Sequence, residues 1–454
     1  MSFCRSTLSI RPKRGATTRA TIDAKIRAFE RSYTINEGAV ARVDVCQLAA
    51  NAPVEDNFSI ARCLSSDASL FGIFDGHGGY TCSRNVSIRL FDYICAAVLK
   101  KHVVKEDIPI MERLKWISSS IVHKLPQLFE LKHEKNVRAF YQNFQKSSSS
   151  FTVRKAIQAA FVALDDDIGN GALPDIKGHF CRQSAAIAAS GSCATVAHIR
   201  SSNLHVANIG DSAAVMGVLN NGTIVSRQIT RFHNPENADE VKRVRQAHPQ
   251  NERGTILKNG RLLGELIPLR AFGDVQFKWS RDLQKIILAP LGYNVPQNLT
   301  TPPYLTALPD VFYHQLTPND KFLIVCSDGI FDFLDPDTVV RIVNDHCRGR
   351  ETLTAYKPTN GITLDKVIEE LSSRRFGSNK KPIDDNSATH IVRHALGGVT
   401  KSLDEQYANL KDQLNHPQGI ARNYRDDMTV IVIHFNQQFL TDETDTDAIS
   451  TDSQ

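Results

Sequence analysis

The 454-residue chain has no apolar run approaching the ~18–20 residues that a membrane-spanning helix needs. Its longest apolar stretches are strand-sized, and charges interrupt anything longer. It also lacks paired cysteine motifs. Nine cysteines (Cys4, Cys46, Cys63, Cys82, Cys95, Cys181, Cys193, Cys326 and Cys347) include no C-x-x-C pair and no Cys/His cluster with zinc spacing. Cys193 and Cys326 sit inside apolar runs, where a small buried thiol is the ordinary expectation. This usage points to a reduced intracellular protein. Clustered basic charge is missing from the body of the chain. Eight of the 54 Lys+Arg but only three of the 49 Asp+Glu lie within residues 1–40, so the remainder carries 46 of each. A neutral body argues against a nucleic-acid groove, which needs basic charge to displace counterions from phosphates.

Residues 1–40 are rich in Arg, Ser and Thr, and their first acid is Asp23. That composition predicts a mitochondrial transit peptide and not a secretory signal. From Gln437 the chain turns polar and acidic, which predicts a disordered tail over 437–454. Lys146–Phe151 (KSSSSF) is the one low-complexity patch and reads as a surface loop. Val153, Ala156, Ile157, Ala160, Phe161, Leu164 and Ile168 recur at helical spacing and predict an amphipathic helix. Short β-rich runs predict strands at Leu70–Phe74, Ala194–Ile199, Leu204–Asn208, Phe322–Cys326 and Thr429–Phe435. Residues 100–150 and 345–420 read as helical or irregular excursions. The mixture is α+β, with buried strands able to form two packed sheets and helices outside.

The aspartates carry the chemical signal. Glu55-Asp56, Asp75-Gly76-His77-Gly78-Gly79, Asp328-Gly329 with Asp332, and Asp426-Asp427 each flank a strand-like run. A strand delivers its terminal side chain to a fixed point, so acids at several strand ends can converge. Buried carboxylates cannot stay ionised together unless cations neutralise them. An oxygen-only donor set favours hard ions such as Mg²⁺ or Mn²⁺. Two such ions could clamp an in-line displacement at phosphorus and generate hydroxide between them. Asp75-Gly76-His77-Gly78-Gly79 is the sharpest piece, because its glycines allow close backbone approach and a carbonyl ligand. His77 beside the acids suits protonation of a leaving alkoxide.

At these residues the chain resembles the type 2C metal-dependent protein phosphatases. The matching segments run in family order: Val54-Glu55-Asp56, Phe74–Gly79, Ser190–Ala194, Asn208–Ser212, Arg270–Asp274, Ser327–Asp332 and Arg425–Val430. They span roughly residues 45–436. Within the family the chain is similar to the mitochondrial pyruvate dehydrogenase phosphatase branch, through Ala52–Asp56, Leu266–Ser280, Thr301–Val311, Ala388–Gly398 and Tyr424–Asp427. The resemblance implies one phosphatase domain over residues 41–436, a four-layer α-β-β-α sandwich of two mainly antiparallel sheets. It implies two Mg²⁺ or Mn²⁺ ions held by Asp56, Asp75, Asp328, Asp426 and the Gly76 carbonyl, with Glu55 acting through water. It further implies His77 as general acid, and Asp75 as the chief holder of the hydroxide that attacks phosphoserine. Asp211 and Asp274 are assigned to turns and loop support.

Two positions depart from the family pattern. An arginine that grips substrate phosphate in many members is Asn51 here, a neutral donor. A weaker third metal site retains Asp332, but its partner acid is Ala188. By resemblance the substrate is the phosphorylated pyruvate dehydrogenase alpha subunit in the mitochondrial matrix, and dephosphorylation reactivates the complex. The lipoyl domain of the acetyltransferase core and a regulatory subunit are implied as further partners. The competing expectations are a type 2C phosphatase for a branched-chain keto-acid dehydrogenase or a cytosolic target, and an inactive phosphatase-fold scaffold. The Leu266–Ser280 run disfavours the first, and retention of every metal acid disfavours the second.

Overall fold

A computed structural model describes residues 18–105, 107–120, 125–147, 151–349, 361–375, 382–399, 402–417 and 419–443. The strands are β1 (Arg31–Glu37), β2 (Val40–Leu48), β3 (Asn57–Cys63), β4 (Ala68–His77), β5 (Leu114–Ser119), β6 (Gly191–Arg200), β7 (Asn203–Ile209), β8 (Ala213–Asn220) and β9 (Thr223–Gln228). After them come three two-residue pieces, β10 (Leu257–Lys258), β11 (Arg261–Leu262) and β12 (Phe272–Gly273). The last three are β13 (Asp310–Gln315), β14 (Asp320–Cys326) and β15 (Met428–Phe435). One sheet runs β1-β2-β15-β14-β8-β9 and the other β13-β7-β6-β4-β3-β5, with β12 added beside β6. The pairings within both sheets are antiparallel.

Side-chain alternation along each strand explains the layering. On β15, Ile431 and Ile433 join Leu323 and Val325 of β14 and Phe71 and Ile73 of β4 in a core between the sheets. Their neighbours Val430 and Val432 point the other way, into a second core beneath helices. That outer layer comprises α1 (Arg19–Arg27), α9 (Pro336–Cys347), α11 (Ser387–Gly397) and α12 (Leu403–Asn415). Leu70 and Phe74 of β4 likewise face a third core under α2 (Thr81–Ala96), α3 (Gln127–Ser147), α4 (Val153–Ala172) and α5 (Arg182–Ala189). The four-layer sandwich expected from the resemblance is therefore the observed architecture.

An excursion over residues 230–305 carries α6 (Ala238–Gln246) and α7 (Arg281–Ile287) and has its own small core around Val244, Ile256, Leu262 and Tyr304. Arg270 ties it to the sheet, donating to Glu240 of α6 (2.9 Å) and Asp310 of β13 (2.9 Å). Short α8 (Asp328–Phe331) follows β14, and α10 (Leu364–Arg375) follows α9. Among the described residues, no helix is long and apolar enough to cross a membrane.

Both expected domain boundaries move. Ile22 and Ile26 of α1 are buried against α12 and α11, and β1 pairs with β2, so the folded domain already includes residues 18–40. Residues 1–17 lie outside the described residues, as do 148–150 of the serine patch. At the other end, residues 437–443 are helical and Leu440 is fully buried in the inter-sheet core. Residues 437–443 are therefore part of the folded domain and not of the tail expected from Gln437, and 444–454 lie outside the described residues. The excursion predicted over 100–150 contains β5, an edge strand paired with β3.

Candidate active site

The acids at the strand ends meet at one edge of the two sheets. Asp75 lies near the end of β4, Asp328 two residues beyond β14, and Asp211 two residues beyond β7. Carboxylate oxygens of these three lie within 4.8 Å of one another. Ser212 Oγ donates to Asp75 Oδ2 (3.2 Å), and the Asp328 backbone N–H points at the same oxygen (3.3 Å). Asp56, just before β3, accepts from Thr429 Oγ1 of β15 (2.7 Å). Asp426, just before β15, accepts the Asp427 N–H (2.7 Å) and pairs with Arg422. Glu55 lies beside them and accepts from the Gly79 backbone.

Electrostatics sets the character of this cluster. Burial, then the charge of neighbouring carboxylates, pushes Asp56, Asp75 and Asp328 well above the usual carboxylate range. Burial also raises Asp426 and Glu55. Among the described residues no Lys or Arg pairs with Asp56, Asp75 or Asp328, whereas Asp165, Asp167 and Asp384 elsewhere all have such partners. Oxygen donors packed this closely without internal compensation fit hard divalent cations. Gly76 fits the same purpose: a Cβ there would collide with the Glu55 carbonyl and lie 2.6 Å from Ser83 Oγ. Only glycine lets this backbone run beside the acids.

Asp427 does something different from its neighbour Asp426. Its Oδ1 accepts the Ala50 and Asn51 N–H groups (2.5 and 2.9 Å), and Oδ2 accepts the Glu55 N–H (2.7 Å). It therefore clamps the loop that presents Glu55 and Asp56. Asn51 also gives one side-chain proton to Asp427 Oδ2 (3.1 Å).

His77 is positioned by a run of registered strands. It sits opposite Gly191 of β6, and Gly191 sits opposite Gly273 of β12, which leads directly into Asp274. His77 Nε2 is 2.6 Å from Asp274 Oδ2, with Asp274 1% exposed and the His77 side chain 24% exposed. Asp274 is left-handed (φ 49°), and its N–H is held by the Ser190 carbonyl (3.1 Å). A Cβ at Gly191 would overlap both His77 Nε2 and Asp274 Oδ2. Burial pulls His77 down, but the charge and hydrogen bond of Asp274 outweigh it and raise the imidazole above its ordinary value.

The structure thus brings together Glu55, Asp56, Asp75, Gly76, His77, Asp328 and Asp426. Asp332 is exposed on the turn after α8 and does not join the close carboxylate triad. Two assignments are extended. Asp211, expected to support a turn, contributes its carboxylate to the triad. Asp274 does occupy a turn, and its side chain also reaches His77 through Oδ2 while Oδ1 accepts from Gln276 Nε2 (3.3 Å). The signal for Asp211 was available: it lies two residues beyond an apolar strand, as Asp328 does beyond β14.

The Protein phosphatase 2C family model matches residues 122–375, more than half the chain. The human mitochondrial protein named [pyruvate dehydrogenase [acetyl-transferring]]-phosphatase 2 is 36% identical over 450 residues, covering 92% of this chain and 83% of the relative. The bovine mitochondrial phosphatase 1 of the same name is 36% identical over 463 residues, covering 94% of this chain and 84% of the relative. A protein phosphatase 2C homolog of Schizosaccharomyces pombe is 32% identical over 435 residues, covering 92% and 86%.

Proposed function

The chain belongs to the protein phosphatase 2C family and is a metal-dependent protein serine/threonine phosphatase, and from that premise we propose that it dephosphorylates phosphoserine on the alpha subunit of pyruvate dehydrogenase, reactivating that enzyme. The chemistry rests on one observation, the buried carboxylates of Asp56, Asp75 and Asp328, with which no Lys or Arg among the described residues pairs. The substrate rests on similarity, over 92% and 94% of this chain, to two proteins named as pyruvate dehydrogenase phosphatases.

Asp56, Asp75, Asp328, Asp426 and the Gly76 carbonyl would hold two Mg²⁺ or Mn²⁺ ions, with Glu55 acting through a water. Bound there, the ions would supply an activated water and neutralise charge on the phosphoryl oxygens. The protein's own groups do the rest. Asp427 fixes the loop that carries Glu55 and Asp56. His77 delivers a proton to the departing serine oxygen; with Nε2 engaged by Asp274, Nδ1 is the nitrogen left for that transfer. Asn51 retains a second Nδ2 proton for a phosphoryl oxygen. The exposed Asp332, without a partner acid at Ala188, supports at most a weak third ion.

The acid-poor first 22 residues and the relatives' names support a mitochondrial matrix location. The lipoyl domain of the acetyltransferase core and a regulatory subunit are the partners that go with this reading. The test compares phosphate release from phosphorylated pyruvate dehydrogenase, phosphorylated branched-chain keto-acid dehydrogenase and a generic phosphopeptide. Preference for the first supports the assignment. Equal or better hydrolysis of the others would keep the phosphatase and discard the substrate.

A further inference from the structure

Away from the acidic cleft, titratable groups gather where α9 and α11 cover the outer face of the first sheet. His434 continues the Val430 and Val432 row of β15, so it faces that helical layer. Its Nδ1 lies 3.7 Å from Sγ of Cys347, the last residue of α9, and its Nε2 lies 3.5 Å from Asp44 Oδ2 of β2. Asp44 is fully buried and fixed by the Ser387 N–H (2.9 Å), Arg42 Nε (2.8 Å) and Ser32 Oγ (2.7 Å). Ser387 Oγ bridges the two rings, at 3.4 Å from His434 Nε2 and 2.9 Å from His346 Nδ1. His346 in turn meets the Asp384 carbonyl (2.8 Å). The result is a row of cysteine, histidine and aspartate whose buried end is Asp44 and whose other end, Cys347, is an exposed residue.

Cys347 is exposed, whereas Cys46, Cys63, Cys82, Cys95, Cys193 and Cys326 are buried. Cys181 is the other exposed thiol among the described residues, and no histidine hydrogen-bonds it.

We propose that Cys347 is a nucleophilic thiolate on the surface, held ionised by His434 and Asp44, and a site of reversible mixed-disulfide formation with small disulfides. The Cys347 sulfur attacks one sulfur of the disulfide. A new S–S bond forms as the old one breaks, and the departing thiolate leaves with the bonding pair. The small disulfide is the oxidant, and a thiol reverses the step. Burial pushes the Cys347 thiol up, but the neighbouring His346 and His434 imidazoles outweigh it and draw it down to about 6. Burial also pulls His434 down, yet Asp44 and Cys347 raise it to about 9. The two shifts have the signs of an ion pair at neutral pH.

The test uses the full chain, iodoacetamide and oxidised glutathione, with peptide mapping by mass spectrometry. Cys347 alkylation should rise with a midpoint near pH 6, and glutathione should appear on Cys347 and leave on reduction. In His434→Gln the midpoint should move toward the free-thiol value of about 8.5. At pH 6.5 a complete shift would cut the thiolate fraction about 75-fold while intrinsic nucleophilicity rises ~10–18-fold, so with His346 still in place the net loss should reach at most roughly four- to eightfold. Phosphatase activity of that variant should be unchanged, since His434 lies outside the cleft. A wild-type midpoint near 8.5, or absence of glutathione from Cys347, would overturn the proposal even if the variant failed to fold. A wild-type rate that His434→Gln leaves unaltered in a folded protein would overturn it equally.

Discussion

Replacing Asp274 by Asn isolates the group that orients His77. Asparagine keeps the side-chain shape and tolerates the left-handed backbone at this position, whereas alanine would add backbone strain. The substitution replaces a buried, charge-assisted hydrogen bond of 2.6 Å by at most a neutral one. Such bonds are worth about 1.5–3 kcal/mol, which at ~1.4 kcal/mol per decade corresponds to about 10–150-fold in rate if His77 must be held to work. The loss should fall on kcat for a phosphoserine peptide, with KM and metal content near wild type. It should be much smaller for p-nitrophenyl phosphate, whose good leaving group needs little protonation. Combining Asp274→Asn with His77→Gln should cost little more than His77→Gln alone. Equal losses on both substrates, or additive losses in the double variant, would refute the positioning role.

Four other outcomes follow from the same structure. Asp75→Asn and Asp328→Asn should abolish metal-dependent phosphate release; full activity of either at saturating Mn²⁺ would contradict the ligand assignment. Gly191→Ala places a methyl group between His77 and Asp274, so kcat should fall while isothermal titration shows Mn²⁺ still binding. Ile26→Ala, at a fully buried position, should lower stability by about 2–5 kcal/mol in urea unfolding, and no change would argue against α1 as part of the domain. Burial holds His198 and His394 down at about 3 and His205 at about 4. Their folded values lie below the free value of about 6.5, so their contribution is complete above pH 6.5 and lost as pH falls, by up to about 2 kcal/mol each at pH 5. The Tm difference between pH 7 and pH 5 should therefore shrink in His198→Leu.

Much of the architecture was legible because its central strands are buried on both faces. Val430–Ile433 and Phe322–Cys326 are continuous apolar runs, and each lies in a central strand of the first sheet. Edge strands gave no such signal. Arg31–Glu37 and Thr223–Gln228 each have one partner and expose much of their length, so their sequences are polar. The N-terminal boundary was hidden for a related reason. In an Arg-rich segment, Ile22 and Ile26 become a buried face only once α11 and α12 supply the other side. The acids of the site were readable because each ends a strand. Their functions divide only in three dimensions: Asp426 faces the cluster while adjacent Asp427 holds a loop, and Asp274 crosses to His77 through strand registers no linear spacing reveals.

The central claim is that these buried carboxylates work only with divalent cations and serve phosphoserine hydrolysis. The most direct test is phosphate release from a phosphoserine peptide by the full chain, with Mn²⁺ or Mg²⁺, with chelator, and in Asp75→Asn. The account predicts release with metal, none with chelator, and none from a folded Asp75→Asn. Release that persists in chelator, or in the variant, would contradict it.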